Sequence, residues 1–443
     1  LKKYLTSVSA FQLYHLIRYS AFIVTGIVFT KTTLTSSEIG QWETFLFIAG
    51  AVTFFWLNSV LKALLMTGPG DADAKSDNQA VFTAFVIISV LSILTAGFLL
   101  MVSPLVSKVL LNGNGIPFMG LLIIYLVFGI PANMVEFLYL LRKENAKIIS
   151  YGIVSFVFQL ICVLLPAVMG AGIRMALAGL LISMVARWCW LLFILLKYHR
   201  GRFSMSVVRK LMVLAWPLMV SALLSGSAQY VDGFIITSRF SREVFAIFQY
   251  GARELPLAVL LANALGNSLL PEFKNRSNLN ATLLTLKENS RKLMHYLFPL
   301  TMILLLLSHP LFPVLFNPAF AASATIFNIY LLLVISRLVF PQLILTGLAY
   351  TREIMVASFL ELVINVAFSL MLVLWWGIAG VAAGTVIAFL FEKIFLAALV
   401  RRKLGIRASG YIPLKLLGAY SLLTGMVFIF AELILSKHGL LVG

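Results

Sequence analysis

The chain alternates long apolar runs with short polar breaks. The runs predict helices over 8–30, 43–66, 81–103, 117–140, 148–169, 175–197, 211–236, 244–271, 292–313, 322–348, 354–375, 378–400 and 412–436. Each run is near the roughly 20 residues that a helix needs to cross the hydrocarbon of a bilayer. A helix also satisfies its own backbone hydrogen bonds, which lipid cannot do for it. The pattern therefore predicts an all-α polytopic membrane protein. The sequence ends at Gly443, just past the thirteenth run, which leaves room for a fourteenth beyond it.

Composition agrees. Of the 443 residues 61% are hydrophobic and 11% charged, where soluble domains carry about a quarter charged. No cleavable signal peptide is evident. The two cysteines, Cys162 and Cys189, fall inside apolar runs and read as small packing residues.

The net charge of +18 would suggest nucleic acid in a soluble protein. Here most basic residues sit in short loops. With the N-terminus in the cytoplasm, roughly two thirds of the 34 Lys and Arg lie on the cytoplasmic side, as the positive-inside rule requires. Orientation accounts for the charge, with anionic membrane lipids as a secondary partner and no nucleic acid. Two cytoplasmic connections are long. Residues 198–210 join the sixth and seventh runs. Residues 272–291 set Leu279, Leu283, Leu284 and Leu286 against Lys274, Arg276, Lys287 and Arg291, which predicts a helix lying on the membrane surface.

The two halves repeat at a nearly fixed offset. Glu38-Ile39 matches Glu243-Val244, and Pro131 with Arg142 matches Pro341 with Arg352. Gly172, Ala176, Gly179 and Ile182 match Gly377, Val381, Gly384 and Ile387. Six runs per half make the repeat parallel, related by an axis along the membrane normal. The expected domains are an N-terminal lobe over 1–197, a linker over 198–210, a C-terminal lobe over 211–400 and an additional helix within 401–443. Two such lobes would enclose a central cavity and rock about it.

A charge at mid-membrane costs about 2.5–3.5 kcal/mol on the insertion scale, so each one is a candidate site residue. The first half holds Arg18, Glu136 and Arg187. The second holds Asp232, Arg253, Glu254, Arg337, Glu361 and the neighbours Glu392 and Lys393. Arg187, Glu392 and Lys393 read equally as side chains snorkelling to an interface. Asp232 lies near the outer end of its run and reads equally as facing water. Arg18 and Arg337 are deepest. Tyr14, His15 and Tyr19 beside Arg18 form a polar-aromatic cluster suited to sugar or phosphate, or equally a packing cluster. The deep set leans cationic, and arginine suits an anionic phosphate through paired hydrogen bonds.

No enzyme signature is present: no P-loop, no His-Glu-x-x-His and no Gly-x-Ser-x-Gly. Asp71 and Asp73 form an acidic pair, but beside Gly68, Pro69 and Gly70 they read as a solvated turn.

The chain resembles the MOP exporter superfamily, and within it the Wzx-type polysaccharide flippases. The resemblance is carried by Glu38-Ile39-Gly40 after the first run, by Pro217, Asp232 and Glu243 to Tyr250 around the seventh and eighth, by Pro271, and by Gly377, Gly380 and Gly384. It implies two six-helix lobes in a bacterial cytoplasmic (inner) membrane. It implies transfer of an undecaprenyl-diphosphate-linked oligosaccharide to the outer leaflet, for O-antigen (lipopolysaccharide), capsule or exopolysaccharide. Lipid II flippases of the same superfamily also carry arginine in the first helix, as at Arg18. On this reading Arg18, Arg253 and Arg337 engage the diphosphate, and Tyr14, Tyr19, Gln249 and Tyr250 contact sugar. Glu136, Asp232 and Glu254 couple to H⁺ or Na⁺, or balance the arginines. No cofactor is expected, and the chain is expected to act as a monomer beside the polymerase and glycosyltransferases of its pathway. The rivals are a MATE-like cation-coupled drug antiporter, a lipid II flippase and an intramembrane glycosyltransferase.

Overall fold

A computed structural model describes residues 7–67, 74–198, 202–270, 272–274, 279–348 and 350–435. The acidic pair Asp71 and Asp73 lies outside the described residues. Those described are helical apart from turns. Among the described residues nine helices are long and apolar enough to cross a membrane, or up to eleven if each of two bent pairs is one span. The longest of them is two spans. Thr351–Leu404 (α14) carries a non-helical glycine, Gly377, at φ +53° and ψ −135°. The chain doubles back there: Asn365 donates to Thr385, and a Cβ on Gly384 would lie 2.6 Å from the backbone N of Ser369. Two antiparallel helices touch along that line, as the predicted runs 354–375 and 378–400 require.

The contacts divide the chain into two units. Unit 1 is Leu1–Gly226 with Thr237–Ala246, and unit 2 is Ser227–Ile236 with Ile247–Gly443. Unit 1 contains α1 (Ser7–Phe29), α2 (Ser36–Thr67), α3 (Ala74–Leu110), α4 (Met119–Leu141), α5 (Asn145–Val168), α6 (Gly172–Tyr198) and α7 (Met205–Gly226). Here α1 lies along α5, α5 along α6, and α7 along α2. The sequence put the lobe boundary at 198–210. By contacts α7 groups with unit 1, because it packs on α2. The seventh run then breaks at Ser227 and continues as α8 (Ala228–Arg239).

Unit 2 receives part of α9 (Arg242–Gly251), then α10 (Pro256–Leu269), α11 (Leu279–Leu315), α12 (Ser323–Arg337), α13 (Pro341–Gly347), α14 and α15 (Leu414–Phe430). The expected surface helix is not separate. Its described part forms the first turns of α11, continuous with the ninth span. Leu283 and Leu286 are buried against Leu345, Leu396 and Val400, while Leu284 is exposed. Two leucines that could have faced lipid headgroups are instead spent on the core.

The repeat is visible in backbone geometry. Gly172 and Gly377 both take positive φ, at +78° and +53°. Seven residues on, Gly179 and Gly384 both meet neighbouring backbone. A Cβ on Gly179 would fall 1.9 Å from the carbonyl oxygen of Cys162. Both cysteines are free, and Cys189 faces outward rather than into packing. Glu38 closes a capping box with Thr35, accepting from its backbone N at 3.0 Å while Thr35 Oγ1 accepts from Glu38 N at 3.2 Å. In the second half Ser241 Oγ accepts from Val244 N at 3.4 Å. Lipid-facing surface is apolar, as on α3, where Val90, Leu94, Phe98, Met101 and Leu105 are exposed.

A side chain at Gly384 has nowhere to go. Gly384→Val should destabilise the protein by about 1–3 kcal/mol or more, the usual range for overpacking. Gly418→Ala, where nothing lies within 4 Å, should be nearly neutral. Thermal melting of both variants in detergent compares them directly.

Candidate functional site

Two spans of unit 2 are broken, and the breaks carry charges the sequence singled out. The eighth span bends by 53° between α9 and α10, and the tenth by 47° between α12 and α13. Pro256 and Pro341 open the second piece of each, since proline fits a helix start but not its interior. Arg253 and Glu254 occupy the first break. Arg337 ends α12 at the second.

These two breaks are joined by one ion pair. Arg337 Nε donates to Glu254 Oε2 at 2.8 Å, and Nη2 donates to Oε1 at 2.6 Å. The side chains are 27% and 26% exposed, so the pair is reachable from outside the unit. Helix ends favour this placement. A cation suits the last turn of α12, and an anion suits the start of α10. The Arg337 guanidinium also lies 5.0 Å from the Phe389 ring centre. Arg253 donates from Nε to the Gln249 carbonyl at 3.3 Å and lies over the Tyr250 ring at 5.2 Å.

A second polar group surrounds Asp232 on α8. It is buried, not open to water as its place near the run's end allowed. The Tyr330 hydroxyl donates to it, and Thr385 Oγ1 donates at 2.6 Å. Asn365 Nδ2 donates to Thr385 Oγ1 at 3.2 Å. Ser369 Oγ lies 3.3 Å from Asn365 Oδ1 and 3.2 Å from the Val381 carbonyl. One carboxylate thus ties α8 to α12 and to both arms of the α14 hairpin.

A third group was missed by the sequence reading. Glu432, in the π-helical turn Ala431–Leu435, is buried. It accepts from Asn328 at 2.6 Å and Thr325 at 2.9 Å, and lies 2.9 Å from His309 Nε2. Glu432 lies inside the predicted thirteenth run, so the rule that flagged the other intramembrane charges applied to it as well. This group fastens the C-terminal helix to α11 and α12.

In unit 1 Arg187 does not snorkel. It is buried, donating from Nε to Tyr151 and from Nη2 to Tyr14, each at 3.0 Å. Glu136 is buried close enough for the two charges to act on each other. Its Oε2 has no hydrogen-bond partner among the described residues. Arg18 is exposed on α1, and Tyr19 and Gln249 are partly buried. Tyr14 and Tyr250, expected as sugar contacts, are enclosed. Tyr14 stacks on Tyr151, and Tyr250 packs against Phe316 and Phe320. Glu361 is buried too, and Lys393 pairs with Glu392 at 2.7 Å.

Two of the deep arginines lie near acids: Arg337 pairs with Glu254, and Arg187 is buried near Glu136. Among the described residues no cluster of three or more His, Cys, Asp or Glu could hold a metal ion.

Broken spans with charges in the breaks are a feature that secondary transporters place at their binding sites. Solved structures share the fold. A lipid II flippase, MurJ, in an inward closed conformation superposes with a TM-score of 0.69 at 16% identity, covering 96% of this chain and 94% of that one. An inward-facing multidrug-resistance MATE transporter of the MOP superfamily gives 0.63 at 14%, covering 89% and 94%. A MOP superfamily transporter from Pyrococcus furiosus gives 0.58 at 13%, covering 90% and 94%. At such identities these likenesses concern the fold. No curated protein matches the chain in sequence. A family model described as polysaccharide biosynthesis protein matches residues 34–325, and a second of the same description matches 287–436. The chain belongs to this polysaccharide biosynthesis family.

Proposed function

We propose that this protein is a flippase that moves an undecaprenyl-diphosphate-linked oligosaccharide from the inner to the outer leaflet by alternating access, for O-antigen, capsule or exopolysaccharide assembly. The carrying observation is the pair of broken spans joined by Arg337 and Glu254, with Arg253 beside Glu254 in the first break. Family membership and the MurJ-like fold support it. The N-terminus lies in the cytoplasm of a bacterial inner membrane, as the loop charges favour. A polymerase and glycosyltransferases of the pathway would supply and consume the substrate. Arg18, Arg253 and Arg337 engage the diphosphate, and the half-buried Tyr19 and Gln249 contact sugar. Asp232 is the coupling carboxylate for H⁺ or Na⁺, and Glu136 is a second candidate. With the inside negative, outward movement of anionic charge gains about 2.3 kcal/mol per charge per 100 mV.

The test is leaflet sidedness of a lipid-linked oligosaccharide in proteoliposomes. Protein-dependent transfer is expected, falling at least tenfold in Arg18→Gln and Arg337→Gln. A tenfold loss is about 1.4 kcal/mol, modest for a charge-assisted contact. No protein-dependent change in sidedness sinks the proposal. The buried acids Asp232 and Glu361 favour a second reading, a MATE-like cation-coupled drug antiporter. Cation-dependent dye efflux that survives loss of both arginines would establish that reading instead.

A further inference from the structure

We infer that Glu254 is a built-in phosphate surrogate, which holds the Arg337 fork against single-phosphate lipids and yields it to a diphosphate. The inference rests on the reading above, that Arg253 and Arg337 engage a diphosphate. Three observations carry it.

The first is geometry. Two carboxylate oxygens sit on two N–H groups of one guanidinium, at 2.8 and 2.6 Å. Phosphate uses the same paired arrangement, so a phosphate that takes the Nε–Nη2 edge of Arg337 displaces Glu254 from it.

The second is mobility. Glu254 lies in the non-helical stretch 252–255 between α9 and α10. A rotation there breaks no helical ladder, whereas Arg337 is fixed at a helix end and against Phe389. Of the two partners, Glu254 is the one placed to leave.

The third is contrast. Arg187, also bonded through two nitrogens to side-chain oxygens, is sealed at 5% exposure and held by two tyrosines. The Arg337 pair keeps about a quarter of each side chain exposed. A structural arginine is closed off, and this one is open.

The consequence is selectivity. A membrane protein meets phospholipid headgroups at high concentration, each with one phosphate diester and one negative charge on it. An unguarded Arg337, with Arg253 next in the chain to its partner Glu254, would collect them. An internal carboxylate cancels one cation and sets a threshold. A ligand with a single phosphate charge gains little by replacing Glu254. A diphosphate can take Arg337 and Arg253 together, and clears it. Glu254 therefore determines specificity while making no favourable contact with the ligand.

Binding in detergent, read by native mass spectrometry or tryptophan quenching, tests this with two probes. Geranylgeranyl diphosphate stands for a diphosphate lipid, and dioleoyl phosphatidylglycerol for a single-phosphate lipid. The native protein should favour the diphosphate probe at least tenfold. Glu254→Gln should raise affinity for phosphatidylglycerol about tenfold and shrink the preference to about threefold or less. Glu254→Asp, which keeps the charge, should retain most of the preference, and melting temperatures identify any variant that fails to fold. An unchanged ratio in a folded Glu254→Gln, or weaker binding of both probes, overturns the inference. Arg337→Gln separates the two levels. If it leaves diphosphate binding intact, the diphosphate reading itself falls. If it abolishes that binding while Glu254→Gln does not widen specificity, only the surrogate role falls.

Discussion

Replacing Asp232 by asparagine should cut transfer of a lipid-linked substrate at least tenfold and abolish its response to an imposed H⁺ or Na⁺ gradient, while the protein stays folded. An amide fills the same space and still accepts from Tyr330 or Thr385, so the local packing survives. It cannot bind and release a cation or a proton. A coupling ion acts only through a difference in its affinity for two conformations, and an amide at this position removes that difference. The magnitude follows from linkage, where coupling energies of 1–3 kcal/mol amount to roughly 5- to 150-fold. Stability should hold or rise slightly, because a buried carboxylate is costly to desolvate. Transfer rates under opposed and absent gradients, measured beside a melting curve, give both halves of the result. A Asp232→Asn protein that keeps gradient-dependent transfer excludes Asp232 from coupling.

The largest effect on stability is expected at Arg187. Arg187→Leu removes the cation from a closed site and leaves Glu136 buried without it. Breaking a buried pair by deleting one partner costs about 3–5 kcal/mol, and two tyrosine hydroxyls lose their donor as well. Unit 1 should melt early, with low yield. Adding Glu136→Gln to Arg187→Leu should restore about half of the loss or more, because the stranded charge is gone. Melting of the single and double variants in detergent reads this. Equal melting of the two would mean that Glu136 is not the group stranded by loss of the arginine.

Much of the fold was legible because membrane helices write their constraints locally. An apolar run of set length is a span. Gly172 and Gly179 recur as Gly377 and Gly384 because each pair makes the same reversal and the same close approach. The site was legible only as an inventory. Intramembrane charge identified Glu254 and Arg337, but their pairing spans 83 residues. Nothing in the sequence connects Asp232 with Tyr330, 98 residues away, or with Thr385, 153 away. Tyr14 showed the opposite failure. A tyrosine four residues from an arginine suits a ligand and a core alike, and only burial separates them. The surface helix misled for a related reason: leucines on one face fit a lipid headgroup layer and a protein groove equally well.

One detail of chain routing reaches further. Near the middle of the sequence the polypeptide leaves unit 1 at Gly226, returns at Thr237 and leaves again at Ala246. The two bodies are therefore stitched by three covalent crossings rather than hung on a single tether. Gly40 lies under the segment that returns to unit 1, where a Cβ would fall 2.1 Å from the Arg242 carbonyl oxygen. Severing the chain within 198–210 would not part the molecule into its natural pieces, because α7 would be left with the half that lacks α2.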